Sequence, residues 1–175
     1  MKRLPERLGS LALVASTLVV CAASASEISG TIFSTLVITE DSRLVGDVSC
    51  AVNLAACISF GAPGLTLDLN SYSITGTGPR DAQGGCVPVA GSGNEVGILV
   101  GGPESKDAVI RGPGLVQRFR GHNILINNTT GASVTGVTSS FSCLSGILLG
   151  GGSDHVLEGN ISVQNGAPNA PCGGI

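Results

Sequence analysis

The chain has 175 residues, nine Lys and Arg against twelve Asp and Glu, a net charge of −3, 27 glycines, no Trp and one Tyr. This is the length of an ordinary single domain, and the acidic balance lacks the basic footprint that a nucleic-acid partner requires. The shortage of aromatic rings weighs against a sugar cleft built on stacking platforms.

Residues 1–25 read as a signal peptide. Lys2, Arg3 and Arg7 make a basic start, Leu11 to Cys21 is an apolar run too short to span a bilayer, and Ala23-Ser-Ala25 suits cleavage. Leu18-Val-Val-Cys21 is similar to a lipobox, but Val20 stands where a small residue is expected, so ordinary cleavage is favoured. The remainder carries six basic against eleven acidic residues, a net of −5. The reading is a secreted protein, or a periplasmic or cell-surface one, with no membrane span.

Residues 26–55 are read as an N-terminal cap with the first strands. Thr35-Leu-Val-Ile-Thr39 and Arg43-Leu-Val-Gly-Asp47 flank the polar turn Glu40-Asp-Ser42. Residues 56–175 read as stacked rungs. The first holds Cys57-Ile-Ser-Phe60, a Pro63-Gly64 turn, Leu65 to Leu69 and Ser73-Ile-Thr-Gly76. A loop insertion at 79–94 follows, rich in Gly and Pro.

Beyond the loop the chain repeats itself. Gly97-Ile-Leu-Val100, Asn123-Ile-Leu-Ile126 and Gly146-Ile-Leu-Leu149 are one motif, and Gly173-Gly-Ile175 begins it again. The isoleucines lie 26, 23 and 28 residues apart. Runs of four to six β-branched and aliphatic residues between Gly, Ser and Asn are strand and turn chemistry, and no window carries a helical period. A repeat of this length filled with short strands predicts an all-β parallel β-helix of about five rungs, incomplete at its C-terminal end. Strand alternation sends Ile98, Val100, Ile124, Ile126, Ile147 and Leu149 inward. It leaves Leu99, Leu125 and Leu148 as an outer ladder, covered by a loop, a missing segment or a partner chain. Self-association through an uncapped end is a further expectation.

Five cysteines remain after the signal, and an exported chain makes disulfides the first reading. Cys50 and Cys57 flank a tight excursion that a bridge would close. Cys143 and Cys172 fall near one corner of successive rungs, and Cys86 is left unpaired. Metal ligation ranks low, because there is no Cys-x-x-Cys and the only histidines are His122 and His155.

Leu65-Thr-Leu-Asp-Leu-Asn-Ser-Tyr-Ser-Ile-Thr-Gly76, Val96-Gly-Ile-Leu-Val100, Ala108-Val-Ile-Arg-Gly112 and Phe119 closing the rung resemble the right-handed parallel β-helix repeat proteins. These are the NosD-like, carbohydrate-associated members of the pectate-lyase-like superfamily. Glu158-Gly-Asn-Ile-Ser-Val-Gln-Asn-Gly166 looks like their Gly-Asn-x-x-x-x-Asn-Gly rung. The resemblance covers about residues 35–175 and supplies the handedness. It also implies asparagines stacked at a turn, with Asn70, Asn127, Asn160 and Asn165 in that role.

Superfamily enzymes act on acidic polysaccharides, lyases with calcium and a basic residue, hydrolases with paired carboxylates. Here the catalytic candidates are Asp68 and Arg111, which occupy similar places in consecutive rungs, with Arg118 and Arg120 following. The bland alternative is a surface ion pair. Asp154, His155 and Glu158 form a second acidic patch, better read as a turn-capping Asp and a solvated His. Copper, which the NosD-like label suggests, has a poor ligand set. The expected function is a structural, adhesive or glycan-binding role, with polysaccharide as partner, no cofactor and no identifiable catalytic site. The alternative is a lyase, epimerase or hydrolase of acidic polysaccharide, with calcium only in the lyase case.

Overall fold

Short runs such as Leu36–Ile38 and Ile124–Asn127 are too brief for helices and rich in residues that suit a pleat, and many of the bends between them carry a Gly, Asn, Asp or Ser. The computed structural model describes residues 25–78 and 95–166. Strand β1 (Ser26–Ile32) comes first, and five passes of the chain follow it. They hold β2 (Leu36–Ile38) and β3 (Ser42–Cys50); β4 (Ala56–Phe60), β5 (Thr66–Asp68) and β6 (Ser73–Gly76); and β7 (Val96–Gly101) and β8 (Val109–Gln117) with a 3-10 turn at Pro103–Ser105. The fourth holds β9 (Ile124–Asn127), β10 (Thr129–Thr130) and β11 (Ser133–Ser140). The fifth holds β12 (Ile147–Leu149), β13 (Gly152–Ser153), β14 (Val156–Glu158) and β15 (Ile161–Val163).

All strand pairings among the described residues are parallel, and each joins one pass to the next. A long sheet contains β1, β3, β5, β6, β8, β11, β14 and β15. A second runs β2-β4-β7-β9-β12, and β10 pairs with β13 on a third side. The result is an all-β protein of parallel sheets. The register puts like residues in columns. Leu36, Ile58, Ile98, Ile124 and Ile147 follow one another through the second sheet. Leu67, Ile110, Val134 and Leu157 do so in the long sheet. Ile58, Ile98, Ile124, Ile147, Leu67, Ile110 and Val134 are wholly buried. Each stabilises the fold by about 1.5–3 kcal/mol through apolar burial.

The bends recur in register too. Arg118, Phe141 and Gln164 have φ of 65°, 57° and 54°, and each stands 23 residues after the last. At another corner Asp107, Gly131 and Asp154 have φ of 56°, 72° and 61°. The ladder continues through these bends: Asp107 N–H donates to the Thr130 carbonyl at 2.9 Å, and Gly131 N–H to the Ser153 carbonyl at 3.0 Å. The repeated contact holds non-glycine residues in a conformation they rarely adopt.

Several expectations are corrected. β3 is one strand of nine residues rather than the five of Arg43–Asp47, and β1 already pairs with it in parallel. Leu149 is 45% exposed instead of interior. Its partner Ile126 lies on one side only, because β12 is the outer strand of its sheet among the described residues. Residues 1–24, the insertion at 79–94, Cys86, Cys172 and Gly173-Gly-Ile175 lie outside the described residues. Among those described, no helix is long and apolar enough to cross a membrane.

Candidate functional site

Strand alternation sets the outward columns of the long sheet. The first contains Glu27, Arg43, Asp68, Arg111, Thr135 and Glu158, with charge alternating along its first four members. Arg43 donates to Glu27 at 2.6 Å and Arg111 to Asp68 at 2.7 Å. The structure thus brings the two catalytic candidates together. Asp68 also accepts from the Asn70 amide at 2.9 Å, so its oxygens are occupied by an arginine and a turn. Arg111 keeps 58% of its side chain exposed. This is the arrangement of a surface ion pair, worth about 0–1 kcal/mol. A second column holds Asp47, which accepts from the amide and the hydroxyl of Ser73. These two bonds, the amide first, hold the Asp47 carboxyl below the usual range.

The remaining candidates are placed apart. Arg118 is exposed at a left-handed bend. Arg120 turns the other way and joins Glu95, whose side chain is only 2% exposed. Its Nε donates to Glu95 Oε2 at 2.6 Å, and its Nη2 reaches Asn53 Oδ1. Asp154 accepts from the Ser153 hydroxyl at 2.8 Å and Glu158 is exposed. His155 is half-buried rather than solvated; its Nδ1 is enclosed with no hydrogen-bond partner, while its Nε2 lies 3.4 Å from the Gly151 carbonyl, where the missing Cβ of Gly152 leaves room for the ring. His122 is buried and accepts the Ser145 amide at Nδ1, 3.1 Å away; burial pushes it below the ordinary histidine value. Among the described residues, no group of three or more His, Cys, Asp or Glu is placed to hold a metal ion.

The outer leucines are in register, Leu99 with Leu125 and Leu125 with Leu148, and half-buried. Leu54, Ser59, Leu99, Leu125 and Asn127 border a groove of 470 Å³ on that face. Leu54 stands in the loop closed by the Cys50–Cys57 disulfide, whose Cα atoms are 5.8 Å apart. Cys143 is buried and also disulfide-bonded.

The asparagines serve two bends rather than one stack. Asn70 donates to the Leu44 carbonyl at 2.9 Å, and Asn160 donates to the Val134 carbonyl at 2.7 Å and accepts from Val137. Asn165 lies at another corner, where it donates to the Ser139 carbonyl at 3.0 Å and meets Ser142. Asn123, which the motif treated only as a prelude to isoleucine, is wholly buried there and donates to Ser139 Oγ and the Ser140 carbonyl. Asn127 stands apart, beside Gly150 on the outer face of the second sheet. Glu95 was likewise missed; its only signal is an acidic residue directly before an apolar run.

No family model, curated protein or solved structure matches the chain.

Proposed function

We propose that this is an exported right-handed parallel β-helix acting as a structural, adhesive or glycan-binding element. The column register of five successive passes supports the coil. The basic start and apolar run of residues 1–25, with a disulfide that suits an oxidising compartment, support export. One observation carries the role. Five outward charges of the long sheet are spent on one another and on turns: Glu27 with Arg43, Asp68 with Arg111 and Asn70, Asp47 with Ser73. Side chains so committed favour a stiff repetitive face over a reacting group, which needs a base held near its target.

The test uses residues 26–175 with a panel of uronic-acid polysaccharides, with and without calcium, following unsaturated products, new reducing ends and retention. Retention without turnover makes it a binding element. Neither retention nor turnover leaves the structural role. Turnover abolished by Arg111→Ala or Asp68→Ala overturns the proposal in favour of an acidic-polysaccharide lyase, epimerase or hydrolase.

A further inference from the structure

The loop between β3 and β4 is small and closed. The Cys50–Cys57 bond spans seven positions, and both cysteines are buried at the ends of their strands. Within it stands Asn53, exposed, whose Oδ1 accepts from Arg120 Nη2. The same guanidinium binds Glu95, a carboxylate almost wholly removed from water, and Glu95 Oε1 also accepts the Arg120 amide at 3.3 Å. The Glu95 carbonyl takes the Gly121 amide at 2.9 Å, and the Val96 amide reaches Ala55 of the loop at 3.4 Å. The ion pair therefore has one side against β7 and the other against the disulfide loop. A buried pair tolerates loss of solvent only while its remaining hydrogen-bonding capacity is filled. The partner that fills it from the loop is Asn53.

We propose that the disulfide loop is a redox latch on this corner. With Cys50 and Cys57 joined, Asn53 is held on Arg120 and the Glu95–Arg120 pair stays shielded. Exchange with a dithiol passes two electrons to the bridge: the sulfur–sulfur bond breaks, two thiols form, and the reductant becomes the disulfide. The loop then samples many conformations, Asn53 leaves the guanidinium, and water enters the pair. Given export, the corner at which each of the first three passes turns into the next, where Asn53, Glu95 and Arg120 stand one above another, consolidates only after the chain reaches an oxidising compartment. The further passes, held by their own columns, do not depend on it.

Amide hydrogen exchange on residues 26–175 tests the latch, comparing the oxidised protein with Asn53→Ala and with the double variant Cys50→Ala/Cys57→Ala. Both variants are expected to speed exchange at Arg120 and Gly121 by about tenfold or more, as local opening does when a buried pair loses its shield. Ser133 and Val156, whose amides close the ladder two corners away, are expected to keep their protection. The double variant leaves Cys143 as it is, which a reducing agent would not. The latch is overturned if Asn53→Ala leaves Arg120 and Gly121 unchanged. It is equally overturned if the double variant speeds all four amides alike, since the disulfide would then support the whole fold rather than this corner.

Discussion

One corner of this protein is filled in two ways. In the third pass it is filled by a ring: Phe119 is 2% exposed and lies between Gly76 and Gly97, where an added methyl would meet it at 2.8 and 2.6 Å. In the next two passes amides and hydroxyls fill it. Asn123, Ser139, Ser142, Ser162 and Asn165 bond to one another and to backbone around Gly146, where a methyl would strike Asn165, Ser162 and Ser139. The column beside it changes over the same step, from Val48, Ile74 and Val116 to Ser139 and Ser162. An apolar filling tolerates any residue of similar shape, whereas a polar one requires each donor to find its acceptor. Inside the coil the lower corner is thus filled by volume and the upper by pairing, while on the outside of the lower corner stands the Glu95–Arg120 pair.

Removing the ring should do most. Phe119→Ala opens a cavity against two glycines that cannot close it, and a loss of about 3–5 kcal/mol is expected in urea unfolding. Asn123→Ala is expected to cost about 2–3 kcal/mol by stranding Ser139 Oγ and the Ser140 carbonyl. Asn123→Leu should recover little of that; full recovery would mean that the upper corner, too, is held by volume. A third test is pH. Burial lowers the folded pKa of His122 below its unfolded value of about 6.5, so the folded state binds fewer protons. Its contribution is present in full above that value and lost as pH falls from there through the lower folded pKa, and His122→Gln should flatten this part of the stability profile. The smallest effect is expected on the outside: Arg111→Ala should change stability by less than about 1 kcal/mol, its partner Asp68 staying partly exposed and bonded to the Asn70 amide.

Much of this arrangement was legible because a strand has a period of two. Ile98, Ile124 and Ile147 announce their column, and the leucines between them announce the opposite face. Alternation fails at corners, where the chain turns and neighbours on it can point the same way. Asn123 and Phe119 both sit at corners, so the motif named one as a prelude and the other only as the end of a rung. Leu149 shows a second limit: alternation says which way a side chain points and nothing of what stands beside it. Asp68 and Arg111 were found because both lie within paired strands, Asp68 closing β5 and Arg111 inside β8, and their meeting follows from register alone. Glu95 and Arg120 were not paired because they come from a strand entrance and a bend 25 residues apart.

The left-handed bends at Arg118, Phe141 and Gln164 bear on how such a chain can lengthen. One extra residue within a strand reverses every side chain up to the next bend, exposing aliphatics and burying charges. A duplicated block of 23 residues returns each bend to its place and adds one more layer to every column. Growth by copying whole layers is therefore nearly free of conflict, and growth by single residues is confined to the corners.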